Sequence, residues 1–337
     1  MDGPLWTDMH APSLADLPQP GARETLRGAV AEPIDLLVYG PAGAGKTAAV
    51  RALARATHAD PDNDLVELNV ADFFDRTKKE VSEDPRFASF ITPARRRESS
   101  KADLIKHVLS ESASYAPVAG GYKTIVLDNA EAVREDFQQA LRRTMERHHR
   151  TTQFVVVTRQ PSKLIPPLRS RCLSVSMRAP THDEIAAVLE RIVEREDIPH
   201  DADGLEYVAG YADGDLRRAI LGAQTASEAE GEITMQAAYE ALGGVGVEEQ
   251  VAEMIRDAEA GEFADARSTL DDLLVEEGFS GEELLTDVLR VARSKAGIGG
   301  TRLAALYRLA GEIDADLAEG TDDRLHLSHL LAELGRG

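Results

Sequence analysis

The stretch Gly40-Pro41-Ala42-Gly43-Ala44-Gly45-Lys46-Thr47 follows the apolar run Ile34-Asp35-Leu36-Leu37-Val38-Tyr39 and precedes the helix-like segment Ala48-Ala49-Val50-Arg51-Ala52-Leu53-Ala54. A G-x-x-x-x-G-K-T motif between a buried strand and a helix is a P-loop in its proper setting. The Gly-rich turn presents several backbone N–H groups to one point, and the dipole of the following helix adds positive potential where phosphates sit. Lys46 is placed to reach the β- and γ-phosphates, and the Thr47 hydroxyl to ligate Mg²⁺ beneath them. Residues 40–47 are therefore the candidate nucleotide site, with ATP and Mg²⁺ as the expected cofactors.

At 337 residues the chain exceeds what one hydrophobic core usually serves, so two or three domains are expected. No run of about 18 apolar residues occurs, and the sequence begins Met1-Asp2-Gly3-Pro4 without a basic region and apolar stretch. Both features argue against a membrane span or signal peptide and for a cytoplasmic protein. Cys172 is the single cysteine, which excludes an internal disulfide and a multi-Cys zinc site. The net charge of −21 is unevenly spread: residues 1–182 carry 25 Lys+Arg and 23 Asp+Glu, whereas residues 183–337 carry 13 and 36. Only 8 of the 38 basic residues are Lys, which with the acidity suggests a cytosol of high ionic strength.

Outward from the P-loop, residues 1–33 read as an ordered arm with a short helical pattern near Arg23 to Val30. Leu65–Asn69 is a second strand. An irregular, locally basic insertion follows from about 73 to 105, with Lys78, Lys79, Arg95, Arg96 and Arg97. Lys123–Asp128 is an apolar run ending in a carboxylate, the pattern of a buried parallel strand whose C-terminal end faces the ligand, so Asp128 is the natural Mg²⁺ partner of Thr47. Phe137, Leu141 and Met145 recur every four residues and predict a helix from Arg134 to Arg147. Gln153–Thr158 and Leu173–Met177 complete five strands alternating with helices, which predicts an α/β fold with a parallel, doubly wound sheet. Beyond Pro180 the chain becomes acidic and Ala-rich, with helices expected at 183–195, 204–211, 215–229 and 235–242. Gly243-Gly244-Val245-Gly246 reads as a hinge-like break before a second all-helical stretch, 248–334.

These residues carry a specific resemblance. Pro4-Leu5-Trp6-Thr7 with Pro12, Leu14 and Leu17, Glu67-Leu68-Asn69-Val70-Ala71-Asp72, Gln139-Ala140-Leu141-Arg142-Arg143-Thr144-Met145-Glu146, Ser170-Arg171-Cys172, Gly214-Asp215-Leu216-Arg217-Arg218 and Glu312–Gly320 resemble, in order, the motifs of the small subunits of replication factor C, the archaeal and eukaryotic clamp loader among the AAA+ ATPases. The resemblance implies an AAA+ domain with its arm and insertion over 1–181, a helical lid over 182–243 and a helical collar over 244–337. It implies that Arg217 is the lid's sensor 2 and that Arg171 acts on a neighbouring subunit's nucleotide; a surface salt bridge is the ordinary alternative for Arg171. It further implies other large and small loader subunits, the sliding clamp and primer–template DNA as partners, a nucleoid-associated location, and DNA phosphates facing the basic insertion, where a solvated loop is the ordinary alternative. Another AAA+ DNA- or protein-remodelling ATPase is the competing reading.

The sequence also departs from the family. Where the family's Walker B motif runs D-E-A-D, this chain has Asp128-Asn129-Ala130-Glu131, so the carboxylate that polarises the attacking water is an amide. Asn129 can orient water but cannot accept its proton, and general bases typically contribute about 10²–10⁴-fold to rate. An ungapped alignment through Lys163 and Ser170-Arg171-Cys172 puts Arg159 where the family has its sensor 1 asparagine. The catalytic group expected from the resemblance is thus Asp128, Asn129, Arg159 and, acting in trans, Arg171, with reduced hydrolysis at the chain's own site unless Glu131 substitutes.

Overall fold

A computed structural model of the chain describes residues 4–30, 32–70, 77, 79–80, 99–118, 121–242, 244–276, 279–294, 300–319 and 322–336. It divides into two compact units, Met1–Ala238 and Tyr239–Gly337. The first is built on a five-stranded, wholly parallel sheet of β1 (Leu36–Tyr39), β2 (Leu65–Asn69), β3 (Lys123–Asp128), β4 (Thr152–Thr158) and β5 (Leu173–Ser176), in the order β2-β3-β4-β1-β5.

Because successive strand residues point to opposite faces, each buried strand feeds two cores. Leu37, Ile125, Leu127, Phe154 and Val156 pack with the helices Lys101–Ser114 and Glu135–His148 on one face. Leu36, Val38, Val126, Val155 and Val157 pack with Pro20–Val30 and the P-loop helix Lys46–Thr57 on the other. At about 25 cal/mol per Å² of apolar area, covering both faces is the main term holding the sheet. All five strands direct their C-terminal ends to one rim, where Tyr39, Asn69, Asp128 and Thr158 stand; Asn69 and Asp128 are register partners.

Lys101–Ser114 is a helix that overlaps only the end of the expected insertion, and the sequence reading assigns no element to the rest of it. Ser100 caps it by accepting from the Asp103 N–H, and Leu104, Ile105, Val108, Leu109 and Ala113 are buried. Lys79 is exposed, while Lys78, Arg95, Arg96, Arg97 and most of the expected insertion lie outside the described residues.

The helices His182–Arg195, Ala202–Ala212 and Leu216–Glu230 belong to the first unit and start at side-chain caps: Thr181 in a capping box with Glu184, then Asp201 and Asp215. The arm is tied to them. Trp6 N–H donates to Gln224 Oε1 at 2.9 Å, and His10 Nε2 lies 2.7 Å from Glu196 Oε1.

The second unit is all helical, with Leu270, Leu284, Val288, Ile313, Leu327 and Leu330 among its buried residues. Gly244, Val245 and Gly246, expected in a hinge, stand instead in the first turn of the helix Gly244–Ala260. A glycine costs little at a helix start, where few backbone bonds depend on it, and the periodic Val251, Ile255 and Ala258 anchor the helix downstream. No helix among the described residues is long and apolar enough to cross a membrane.

Candidate nucleotide site

A cleft of about 680 Å³ opens at the C-terminal rim of the sheet, and its walls are the arm, the P-loop, the strand ends and the helix Leu216–Glu230. The P-loop backbone is shaped by close approaches. A Cβ on Gly40 would lie 1.8 Å from the Met177 carbonyl oxygen, and one on Gly43 would lie 2.0 Å from Asp215 Cγ. Gly43 and Gly45 have φ of +67° and +85°, which glycine adopts without strain. Gly45 opens the P-loop helix with no side-chain cap, so the first amides of that helix have no intrahelical acceptor and face the cleft as an anion cradle.

Lys46 Nζ donates to the carbonyls of Gly40 at 2.9 Å and Pro41 at 2.5 Å. Burial pulls its pKa down, opposed by the charges of Asp128 and Glu131. Thr47 Oγ1 donates to Asp128 Oδ2 at 2.9 Å, which brings the hydroxyl and the carboxylate of the expected Mg²⁺ pair together. Leu17 and Pro18 of the arm, with Val188, Ile192 and Ile220, supply apolar lining to the same cleft, the kind of surface that suits a flat base. The donor set therefore fits a nucleoside triphosphate and its cation: a cradle, a point charge, a hydroxyl with a carboxylate, and apolar lining.

Two contacts join the P-loop to its surroundings and were not legible in the motif. Leu216 N–H donates to the Gly43 carbonyl at 3.0 Å, so the helix carrying Arg217 is hydrogen-bonded to the loop itself. Buried Gln19 donates through Nε2 to the carbonyls of Ala44 (2.9 Å) and Arg178 (3.0 Å). Of the neighbouring arginines, Arg217 lines the cleft, whereas Arg218 stacks on Tyr211, 4.2 Å from the ring centroid.

At the strand ends the altered residues sit together. Asn129 has φ +55° and ψ +43°, a left-handed conformation that Asn tolerates better than Glu. Its carboxamide is tethered, Nδ2 donating to Asn69 Oδ1 at 3.0 Å. Glu131 accepts from Thr158 Oγ1 at 2.7 Å, from Arg159 N–H at 3.2 Å and from Arg159 Nε at 3.0 Å. Burial works to raise its pKa, but the bonds from Thr158 and Arg159 outweigh it and hold the carboxyl below its ordinary value. With its oxygens so engaged, Glu131 is a poor replacement base.

Arg171 stands elsewhere. It follows the short helix Pro166–Arg169 and precedes the edge strand β5, at the N-terminal rim of the sheet, away from the cleft. Its guanidinium lies 3.8 Å from Asp35 and 3.6 Å from Glu146. Burial raises the Asp35 pKa to about 6 against the Phe154 N–H bond and the Arg171 charge, and burial raises that of Cys172 to about 12, so the cysteine is an inert thiol.

Comparison with known proteins agrees with this architecture. Residues 36–178 match the family described as "ATPase family associated with various cellular activities (AAA)", and residues 247–333 match "Replication factor C C-terminal domain". The chain is 33% identical over 300 residues to the replication factor C small subunit of Halobacterium salinarum, covering 89% of this chain and 84% of that one. It is 30% identical over 336 residues to that of Archaeoglobus fulgidus, covering 98% and 97%, and 31% identical over 337 residues to that of Sulfolobus acidocaldarius, covering 98% and 95%. An AAA module followed by the replication factor C C-terminal domain, matched across nearly the whole length of such relatives, shows that the chain belongs to the replication factor C small subunit family of clamp-loader ATPases.

Proposed function

We propose that this chain is the ATP-binding subunit of a sliding-clamp loader that retains nucleotide, turns it over slowly at its own cleft and supplies Arg171 to a neighbouring subunit's site. The observation that carries the reading is the split within one cleft: Thr47 and Asp128 are paired at 2.9 Å beside the cradle, while the next residue, Asn129, is an amide tied to Asn69. The P-loop amides and Lys46 hold the phosphates, Thr47 and Asp128 hold Mg²⁺, and Arg217 links phosphate contact to the position of its helix. Mg²⁺ held by Thr47 and Asp128 would supply positive charge against the phosphates. Among the described residues no group beside Asp128 is free to take a proton from water, since Asn129 is an amide and Glu131 is engaged.

Arg171 at the sheet edge fits a cation offered to another chain, since its own cleft is at the opposite rim. The task is loading the clamp onto primer–template DNA together with large and small loader subunits, with Lys78, Lys79, Arg95, Arg96 and Arg97 meeting DNA phosphates without sequence preference. Titration with Mg-ATP tests the site: Lys46→Ala loses ATP affinity by more than about 100-fold, because the phosphates lose their point-charge partner. Unchanged affinity contradicts the assignment. Pull-down of the clamp by the assembled loader tests the task, and capture indifferent to ATP contradicts it.

A further inference from the structure

The two ends of the Gln19 carboxamide are unequally met. Gln19 immediately precedes the helix Pro20–Val30 and accepts its first backbone bond, from the Arg23 N–H at 3.0 Å, while the ring of Pro20 fixes the chain beyond it. The residue is 2% exposed. Nε2 uses both of its protons on main-chain carbonyls, that of Ala44 in the P-loop at 2.9 Å and that of Arg178 at 3.0 Å. Turning the amide over would set its oxygen against those same carbonyls, so its orientation is fixed and Oε1 can only accept. Oε1 is buried and has no hydrogen-bond partner among the described residues. Folded proteins leave few buried acceptors unmet, and one beside a ligand cleft points to a donor on the ligand.

Gln19 lines the nucleotide cleft and directly follows Leu17 and Pro18, which with Val188, Ile192 and Ile220 belong to the apolar part of that lining. Phosphate oxygens only accept, so the donors that a nucleoside triphosphate can offer Oε1 are its ribose hydroxyls and its base edge. The apolar residues around Gln19 favour the base, because such lining takes the faces of a planar ring and a single fixed polar group reads its edge. Adenine presents an amino group at its 6-position, whereas guanine carries an acceptor there. We propose that Gln19 is the base-reading residue of the cleft, its Oε1 accepting from the 6-amino group of adenine, so that one side chain selects ATP over GTP. A base without that donor leaves the buried acceptor unmet, and one with an acceptor in its place adds repulsion. This rests on the ATP-binding reading of the cleft.

Calorimetric dissociation constants of the Mg²⁺ complexes of ATP, GTP and purine riboside triphosphate, which lacks only the 6-amino group, test it in the wild type and in Gln19→Met. Methionine keeps the length of the side chain and has no carbonyl. In the wild type the loss of the amino group weakens binding by about 10-fold, the scale of one hydrogen bond to a buried acceptor, and GTP binds more weakly still. In Gln19→Met the three nucleotides bind within about threefold of one another. Any loss caused by baring the Ala44 and Arg178 carbonyls falls on all three alike, and retained binding of purine riboside triphosphate reports a folded cleft. A preference for ATP that survives in Gln19→Met overturns the proposal. So does a wild type that binds purine riboside triphosphate as tightly as ATP, a result that needs no variant. A wild-type chain that binds none of the three overturns the reading of the cleft itself.

Discussion

The two halves of the cleft share the same strand ends and differ in what they carry. The half nearer the P-loop helix holds Lys46, the helix's first amides and the Thr47–Asp128 pair, the groups to which the proposal gives the phosphates and Mg²⁺. The half beyond Asp128 holds Asn129, tied to Asn69, and Arg159, hung on Glu131. The first half needs fixed donors and the second a proton acceptor, so one can persist without the other. Phosphoryl transfer is chiefly positioning and charge stabilisation, and a subunit that keeps only the positioning can still gate the assembly by what it binds.

The largest expected effect sets this cleft against the opposite rim of the sheet. In the assembled loader at saturating ATP, Arg171→Ala lowers turnover at the site it serves by about 10³-fold or more, the scale of arginine fingers in related phosphoryl transfer, and so removes that site's share of the complex's hydrolysis, whereas Asp128→Asn in the same chain lowers hydrolysis little. Steady-state hydrolysis by the reconstituted complex reads both, with nucleotide occupancy of Asp128→Asn measured alongside because Asp128 also serves Mg²⁺. Equal losses would make this chain's own cleft an active one.

A smaller effect concerns the seat of Arg171. The folded pKa of Asp35, about 6, lies above its ordinary 3.8 because of burial, so the protonated carboxyl favours the folded state. Its contribution is complete below about pH 4 and is lost as pH rises through about 6. Asp35→Asn keeps the acceptor for the Phe154 N–H but removes the titration. Urea midpoints at pH 4.5 and 7.5 therefore shift toward higher relative stability of Asp35→Asn at the upper pH, by about 1–3 kcal/mol. An identical pH slope in the variant contradicts the account, and ATP affinity stays unchanged because Asp35 is not in the cleft.

Much of the fold was legible because parallel strands read as unbroken apolar runs. Leu65–Asn69 and Lys123–Asp128 have the expected bounds, while β1 starts at Leu36, two residues late, since Asp35 turns its carboxylate to the Phe154 N–H. The helices from His182 to Ala241 lie within about two residues of expectation because Thr181, Asp201 and Asp215 cap three of them. Lys101–Ser114 was missed because charged residues around its start masked the apolar face at Leu104, Ile105 and Val108. The Glu131–Arg159 pair was out of reach for another reason: the residues are 28 apart, and only the pairing of β3 with β4 joins them. Gln19 on the Ala44 carbonyl is likewise a product of tertiary packing.

The most direct test of the split cleft is the fate of a single bound nucleotide. Chain saturated with Mg-ATP is freed of excess ligand, and the bound nucleotide is analysed over time in the wild type and in Asn129→Glu, which restores a carboxylate beside Asp128. The account predicts that the wild type keeps its triphosphate while Asn129→Glu converts it to diphosphate at least about tenfold faster, a floor set below the usual contribution of a general base because of the left-handed backbone at that position. Wild-type conversion as fast as that of Asn129→Glu would contradict it.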